Sequence, residues 1–377
     1  MNVRVFGESH APEIGVEIEG VRKGVAIDVD ELQRFLDRRA PGNGQGGMST
    51  PRKEPDRLEF ESGVAVSERG DRIVASPLGN RLVTTGDTIR AVIRNTNVRP
   101  QDYGNVITVP RPGHADYSSW IKYGKISTGG GKWSGRMTAP LCIAGGIALQ
   151  MLAKAGVEVR ARVVAVGGRA IAPNGQDARS PMNACVQNVV WKDSALEGVC
   201  PADDSVGAVV EVVATGVPQG LGDVGTAGLE SKLSAAFFGI PAVKGVEFGD
   251  GFRLAEMRGS EANDAFVLAS AEASLPSPAS RPSRLASHVM RPPAPVTLRT
   301  NHCGGILGGV SIGMPIVARL AFKPTPSISR EQDSVDLETL KPVKLAIKGR
   351  HDRCVAFRAV PVVEAATAVV LVTEMGL

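Results

Sequence analysis

Two periodicities alternate along the chain. Residues 15–21, GVEIEGV, alternate apolar and polar positions, the period of a strand with one covered face. Residues 28–39, DVDELQRFLDRR, then place Leu32, Phe35 and Leu36 on one face of a helix that Asp28 is set to cap. After residues 40–53 the alternation returns in RLEFESGVAV (57–66), DRIVASPL (71–78) and TIRAVIRN (88–95), divided by turn residues. Residues 136–156, RMTAPLCIAGGIALQMLAKAG, are apolar nearly all round, which predicts a helix buried on several sides. The longest apolar run, Ala139–Ala153, is too short to span a bilayer. Near the C terminus, CVAFRAVPVV (354–363) reads as a strand.

The pattern repeats. EIEGVRKGVAIDVDELQRFLDRR (17–39) has the layout of VVEVVATGVPQGLGDVGTAGLESKLSAAF (209–237): alternating strand, G-V-x-x-G turn, amphipathic helix. Gly86-Asp87-Thr88-Ile89, opening one strand run, is matched by Gly313-Met314-Pro315-Ile316 in another. Two echoes in one order predict an internal duplication, with a site where the halves meet. Residues 267–297 carry six prolines among Ser, Ala and Arg, the composition of a long loop or flap.

Composition narrows the class. Of 377 residues 43% are hydrophobic, enough for a real core. The net charge of +4 comes from interleaved acids and bases, not from the basic stripe that nucleic acid requires, and suits a small acidic ligand better. The opening MNVRVFGESH lacks a charged segment followed by an apolar one, so the chain reads as cytoplasmic, with no membrane partner. Five cysteines, an odd number never in CxxC spacing, argue for reduced thiols rather than a disulfide framework or structural zinc. Glycine, at 44 residues, exceeds the usual ~7% and implies many turns and close backbone approaches.

Several constellations carry candidate chemistry. Gly220-Leu-Gly222-Asp-Val-Gly225 matches the dinucleotide fingerprint between a strand and a helix, with Glu247 placed as a ribose-binding acid. Glu211 and Thr215 interrupt the strand before it, where a central parallel strand should be continuously apolar, so a helix-preceding turn is the better reading. FGESH (6–10) and RPGHADY (111–117) each present a histidine from a glycine turn, as an acid or base working near neutral pH must be presented. All three tyrosines (Tyr103, Tyr117, Tyr123) and Trp120 and Trp133 fall between 103 and 133, around His114 and Gly129-Gly130-Gly131; a planar ligand, a subunit contact or a satellite hydrophobic cluster would each explain them. Arg38, Arg39, Arg52, Lys53, Arg111, Lys132, Arg136, Arg350 and Arg353 stand in or beside turns, where guanidinium forks bind phosphate and carboxylate. In Arg350-His351-Asp352 the acid stands ready to orient a histidine or accept a proton, or to form a salt bridge.

With FGESH, RPGHADY, Gly-Gly-Gly, NDxF, KGVEFGDGF (244–252), GGILGG, FKPTPSI and RHD-C before RAVPVVEA all in order, the chain resembles the chorismate synthase family along essentially its whole length, as one domain. The resemblance implies an α+β sandwich with helices between two antiparallel sheets, assembled as a homotetramer. It implies reduced FMN as cofactor, with NADPH as a reductant for it, and 1,4-anti elimination of phosphate from 5-enolpyruvylshikimate-3-phosphate to give chorismate. By motif match, His114 is the acid assisting the phosphate, His10 serves the flavin, and Asp352, Ser9 and Ser134 relay protons. Arg39, Arg52, Arg111, Arg136 and Arg350 would bind the substrate's anionic groups. Gly129, Gly130, Gly131, Lys132, Ser134, Asn301, Lys323 and Thr325 would contact the flavin.

Departures cluster near the flavin motifs. The family's usual GGGRSSARET reads GGGKWSGRMT here, placing Trp133 where a serine is usual and Met137 where a glutamate is usual; TNNSGG reads Thr300-Asn301-His302-Cys303-Gly304-Gly305. Ala11 replaces the glycine after the first histidine, and Gln45 stands where an arginine is often found. These changes keep open a relative with weak flavin binding and no turnover.

Overall fold

The computed structural model describes residues 1–41, 48–50, 56–66, 81–95, 107–171, 198–268, 296–347 and 351–377. Strands β1 (Asn2–Gly7), β2 (Glu13–Glu19), β4 (Leu58–Ser62) and β7 (Ile89–Arg94) form an antiparallel sheet in the order β1-β2-β7-β4. Beside it, β3 (Ala26–Asp28), β5 (Val64–Val66) and β6 (Arg81–Thr84) make a small sheet in the order β3-β6-β5. Strands β8 (Glu158–Val166), β9 (Arg169–Ala170), β10 (Ala208–Thr215), β11 (Val243–Phe248) and β16 (Ile316–Phe322) build the second large sheet, β11-β16-β10-β8-β9, again antiparallel. Three two-stranded ladders complete the strands: β12 (Phe266–Leu268) with β13 (Val296–Leu298), β14 (Ile306–Leu307) with β15 (Val310–Ser311), and β17 (Gln332–Asp336) with β18 (Lys341–Leu345).

Helices α1 (Val29–Arg39), α3 (Thr138–Lys154), α4 (Leu229–Phe238) and α6 (Ala356–Met375) carry the packing; α2 (Asp116–Tyr123) and α5 (Gly259–Ala262) are short. Asp28 caps α1 by accepting from Glu31 N at 2.9 Å, and Leu32, Phe35 and Leu36 are buried, as the 3.6-residue period requires. Helix α3 packs on β2 and β7, α6 packs on β8 and β10, and α3 and α6 pack on each other, so helices fill the space between two sheets. Their crossing is close: a Cβ on Gly145 would stand 2.1 Å from Ala365 Cβ. One buried cluster runs from Ile14 to Met375 and contains both halves.

The duplication is visible in the topology. In sequence order β1, β2, α1, β4, β7, α3 corresponds to β8, β10, α4, β11, β16, α6, and the equivalent strands occupy equivalent places in their sheets. Both G-V-x-x-G turns use left-handed glycines, with φ +79° and +89° at Gly20 and Gly24, and +72° and +88° at Gly216 and Gly220. Gly86 and Gly313, which precede β7 and β16, match likewise.

The outer faces explain the polar half of the alternation. Glu211 lies in register with Arg162 on β8 and Arg319 on β16 and is bonded to both, at 2.8 and 3.1 Å. The neighbours of β10 are both antiparallel, and a Cβ on Gly222 would stand 2.3 Å from Gly309 O. Gly222 therefore serves a close backbone approach, and the parallel unit of a dinucleotide fold is absent there.

One expectation needs correction. Residues 354–363 are not a strand: Ala356–Met375 is helical, with Pro361 inside. Burial of that helix between the sheets outweighs the strand preference of its valines. It is also long and apolar enough to cross a membrane, as is Thr128–Lys154, but 72% of each apolar window is buried inside the fold, so both are core helices. DRIVASPL lies outside the described residues, as do residues 269–295 of the proline-rich segment, whose ends are joined by the β12–β13 ladder. Cys142, Cys200, Cys303 and Cys354 are free thiols; Cys185 lies outside the described residues.

Candidate active site

Three turns converge on one cavity of about 740 Å³. Gly7, at φ +91°, ends β1, and the loop to β2 carries Ser9 and His10. Gly113, at φ +71°, turns the chain so that His114 stands just before α2. Gly129, Gly130 and Gly131 follow one another at φ +63°, +85° and +51°, a path that a side chain would strain. The two imidazoles rest on this path: an ideal Cβ on Gly129 would fall 1.9 Å from His10 Cε1, and one on Gly130 would fall 3.2 Å from His114 Cε1 and Nε2. The two histidine motifs thus meet on adjacent glycines.

Hydrogen bonds fix each ring. Ser9 Oγ donates to Gly129 O at 3.1 Å, so its hydrogen is committed and His10 Nδ1, 3.1 Å from Ser9 Oγ, is assigned as the donor to Ser9 Oγ. His114 Nδ1 lies 2.7 Å from Asp116 Oδ1. Asp116, 2% exposed, also accepts from Arg111 Nε at 2.7 Å and Nη2 at 2.8 Å, while Arg111 Nη1 donates to Ser327 Oγ at 3.1 Å. Burial pushes the Asp116 carboxyl up, but the Arg111 fork and the His114 contact outweigh it and hold the acid well below the carboxylate range. Burial lowers the affinity of His114 for a proton below its ordinary value; Arg111 and Lys323 add to this, and Asp116 opposes it.

The wall is cationic. Arg39, Arg111, Arg136, Arg358, Lys132, Lys244 and Lys323 line the cavity, against Asp352 as the one lining carboxylate among the described residues. Behind the wall stands fully buried Asp56, paired with both Arg39 and Arg136. Burial would push its carboxyl up, yet the two guanidiniums hold it down. Adding Asp56 and Asp116 to Asp352, seven cations against three carboxylates leave four positive charges. Asp352 accepts from Thr50 N and from Arg358 Nη1, each at 2.8 Å, which fixes both its oxygens.

Of the residues picked from sequence, Ser9, His10, Arg39, Arg111, His114, Gly129, Lys132, Ser134, Arg136, Lys323, Thr325 and Asp352 all line this cavity. Gly130 and Gly131 are buried in its wall. Arg52 and Arg350, with Lys53, Gln45 and Tyr103, fall outside the described residues. Arg38 pairs with Glu364 and Arg353 donates to Cys200 O, and neither lines the cavity; nor does Asn301, whose Nδ2 donates to Pro315 O at 2.8 Å. A motif match gives no direction for a side chain, and here the direction is toward the neighbouring turn. Arg39, Arg111 and Arg136 meet the cavity already bound to carboxylates, so they offer part of their charge to a ligand, and the lysines offer more of theirs. Trp133 lines the cavity, and its ring centroid lies 5.8 Å from that of Tyr123 at 59°. Tyr117 and Tyr123 are exposed, so the aromatic run is not a satellite hydrophobic cluster.

Sequence reasoning passed over Asp116, Asp56, Lys244 and Arg358. Asp116 was legible as His-x-Asp within RPGHADY; Asp56 had no local signal, because its two partners lie 17 and 80 positions away.

Two antiparallel sheets enclosing helices, with paired histidines inside a cation-lined cavity, define an α+β enzyme that acts on a small molecule. The chorismate synthase family model matches residues 1–375. Curated chorismate synthases of similar sequence include that of Lancefieldella parvula, 40% identical with 100% of this chain and 94% of the relative covered. That of Korarchaeum cryptofilum is 40% identical over 95% and 91%, and that of Rhodospirillum rubrum 41% over 98% and 93%. A crystal structure of a chorismate synthase superposes with a TM-score of 0.67 at 22% identity, covering 99% of this chain and 90% of the other, which bears on the fold. The chain belongs to the chorismate synthase family. It is accordingly a lyase of aromatic amino acid biosynthesis.

Proposed function

We propose that the chain eliminates phosphate from 5-enolpyruvylshikimate-3-phosphate, in the 1,4-anti sense and with reduced FMN bound beside the substrate, to give chorismate. The observation that carries this reading is the pair of imidazoles on Gly129 and Gly130 within one cationic cavity. The substrate brings about four negative charges, a phosphate near −2 and two carboxylates. Four net positive charges on the wall offset the cost of desolvating them.

The residues present suit a flavin. Thr325, on the cavity wall, has a buried Oγ1 with no hydrogen-bond partner in the structure, a polar atom that a heteroaromatic edge would satisfy. Gly129, Lys132, Ser134, Lys323 and Thr325 would hold the group, and Trp133 adds an aromatic face where a serine is usual. Bound and reduced, the flavin supplies electron density that the elimination borrows and returns, with no net oxidation. NADPH is the reductant expected to keep it reduced, and a homotetramer is the assembly that family membership suggests.

The chain's own residues do the rest. Arg39, Arg111, Arg136 and the lysines orient the anionic groups, and His114, once the bound phosphate has drawn a proton onto its Nε2, gives that proton to the departing phosphate. Ser9 steadies His10, while Thr50 N and Arg358 keep Asp352 in one orientation for proton transfer. Anaerobic stopped-flow absorbance with reduced FMN and 5-enolpyruvylshikimate-3-phosphate tests this: chorismate should form, and tight binding of both without chorismate would overturn it.

A further inference from the structure

Outside the histidines themselves, the most constrained group at the cavity is Asp116, which no motif role covers. Its two oxygens face three groups. Oδ2 accepts from Arg111 Nε at 2.7 Å and Arg111 N at 3.1 Å, and Oδ1 faces Arg111 Nη2 at 2.8 Å and His114 Nδ1 at 2.7 Å. The guanidinium is itself braced, because Nη1 donates to Ser327 Oγ at 3.1 Å. An ionised carboxylate accepts hydrogen bonds and donates none. A nitrogen lone pair at 2.7 Å from it would be repelled, so His114 Nδ1 must carry a hydrogen.

Arg111 Nη2 also lies 3.1 Å from His114 Nδ1, but with the proton on that nitrogen this approach is a contact between donors that both serve Oδ1. The remaining nitrogen, Nε2, is beside Gly130, in a ring that lines the cavity.

We propose that Asp116 is a positioning residue: it holds the neutral His114 ring as the Nδ1–H tautomer and so presents Nε2 to the anionic ligand. The proposal rests on the elimination assigned above and names a residue for it. With the phosphate bound, Nε2 takes up a proton from solvent; as the C–O bond to phosphate breaks, its electron pair leaves on the phosphate oxygen and that Nε2 proton passes to it. His114 is left neutral, its Nδ1–H still donated to Asp116, so the Nδ1 proton need not move. The charged groups facing the ring are Arg111 and Asp116 from its own turn and Lys323 from the end of β16; buried desolvation and the two cations favour the neutral ring, and Asp116 opposes them. Gly130 packs beside the ring, with Ser134 next to it.

Asp116→Asn removes the charge and keeps the shape. Arg111 then claims the amide oxygen, and the amide nitrogen turns toward His114 Nδ1, which favours the Nε2–H tautomer. ¹⁵N NMR of histidine-labelled protein without flavin or substrate reads this directly, with His114→Gln assigning the signal. The wild type should show Nδ1–H for His114, and Asp116→Asn should show Nε2–H. In the same variant the proton affinity of the ring should fall, and kcat should drop by about 10²–10⁴-fold. The wild-type spectrum suffices to overturn the proposal, even if the variant fails to fold: an Nε2–H ring in the free protein would do it. A variant with an unchanged tautomer and pH profile but a lower Tm would also overturn it, leaving Asp116 as an anchor for Arg111 alone. Because the spectra need no turnover, a protein that makes no chorismate yet shows the expected tautomers would refute the assigned reaction and not the role of Asp116.

Discussion

Gly129→Ala isolates the geometry on which the site depends. The φ of +63° at this position costs an L-residue about 1–2 kcal/mol. The larger effect is local: the new Cβ would stand 1.9 Å from His10 Cε1, whereas carbon atoms rest about 3.5–4.0 Å apart. The imidazole must therefore move by roughly 2 Å or the glycine turn must open. Displacement of a catalytic group by about 1 Å costs on the order of 10²-fold in rate, so kcat for chorismate formation should fall at least that far. The melting temperature should fall by only a few degrees, since about 1–2 kcal/mol is spread over a large cooperative unit. Gly135→Ala is the internal control, because Gly135 lines the same cavity, has no positive φ and meets nothing within 4 Å. Gly130→Ala, at 3.2 Å from His114, should fall between them. Rates from anaerobic assays, with histidine NMR to follow the His10 ring, give the comparison. Equal activity in the Gly129 and Gly135 variants, or an unmoved His10 signal, would refute the reasoning.

Other outcomes are as specific. Burial, with Arg111 and Lys323, lowers the proton affinity of His114 below its ordinary value, so Lys323→Gln should move the His114 titration to higher pH than in the wild type; a shift downward in the NMR titration would contradict the sign. Among the described residues Trp133 is the cavity-lining tryptophan, so bound FMN should quench tryptophan fluorescence, and Trp133→Phe should abolish most of that change; equal quenching in both proteins would place the flavin elsewhere. Gly145→Val puts a side chain into the α3–α6 crossing, where a Cβ alone would be 2.1 Å from Ala365 Cβ, and should destabilise by about 1–3 kcal/mol or more in denaturant unfolding without touching the cavity.

The periods of β2 and α1 are readable because each has one covered face and one wetter one. The reading of 354–363 failed for the opposite reason. Helix α6 is covered on most sides, so no period shows, and its valines imitate a strand. The decoy at 220–225 was rejected correctly from Glu211 and Thr215, and the structure supplies the cause, a cross-strand pairing of Glu211 with Arg162 and Arg319.

Local chemistry was determined by the chain itself: which glycines turn, which residues alternate, where His10 and His114 stand relative to those turns, and that the units of 17–39 and 209–237 are copies. Side-chain partnership was decided only by the tertiary structure. Asp56 joins Arg39 to Arg136, Asp116 binds both Arg111 and His114, and Asn301 turns away to Pro315. The reason is physical. Backbone preference acts over a few residues and is written in their order, whereas the field around a buried charge depends on groups brought near from any distance along the chain, and only the folded arrangement specifies which they are.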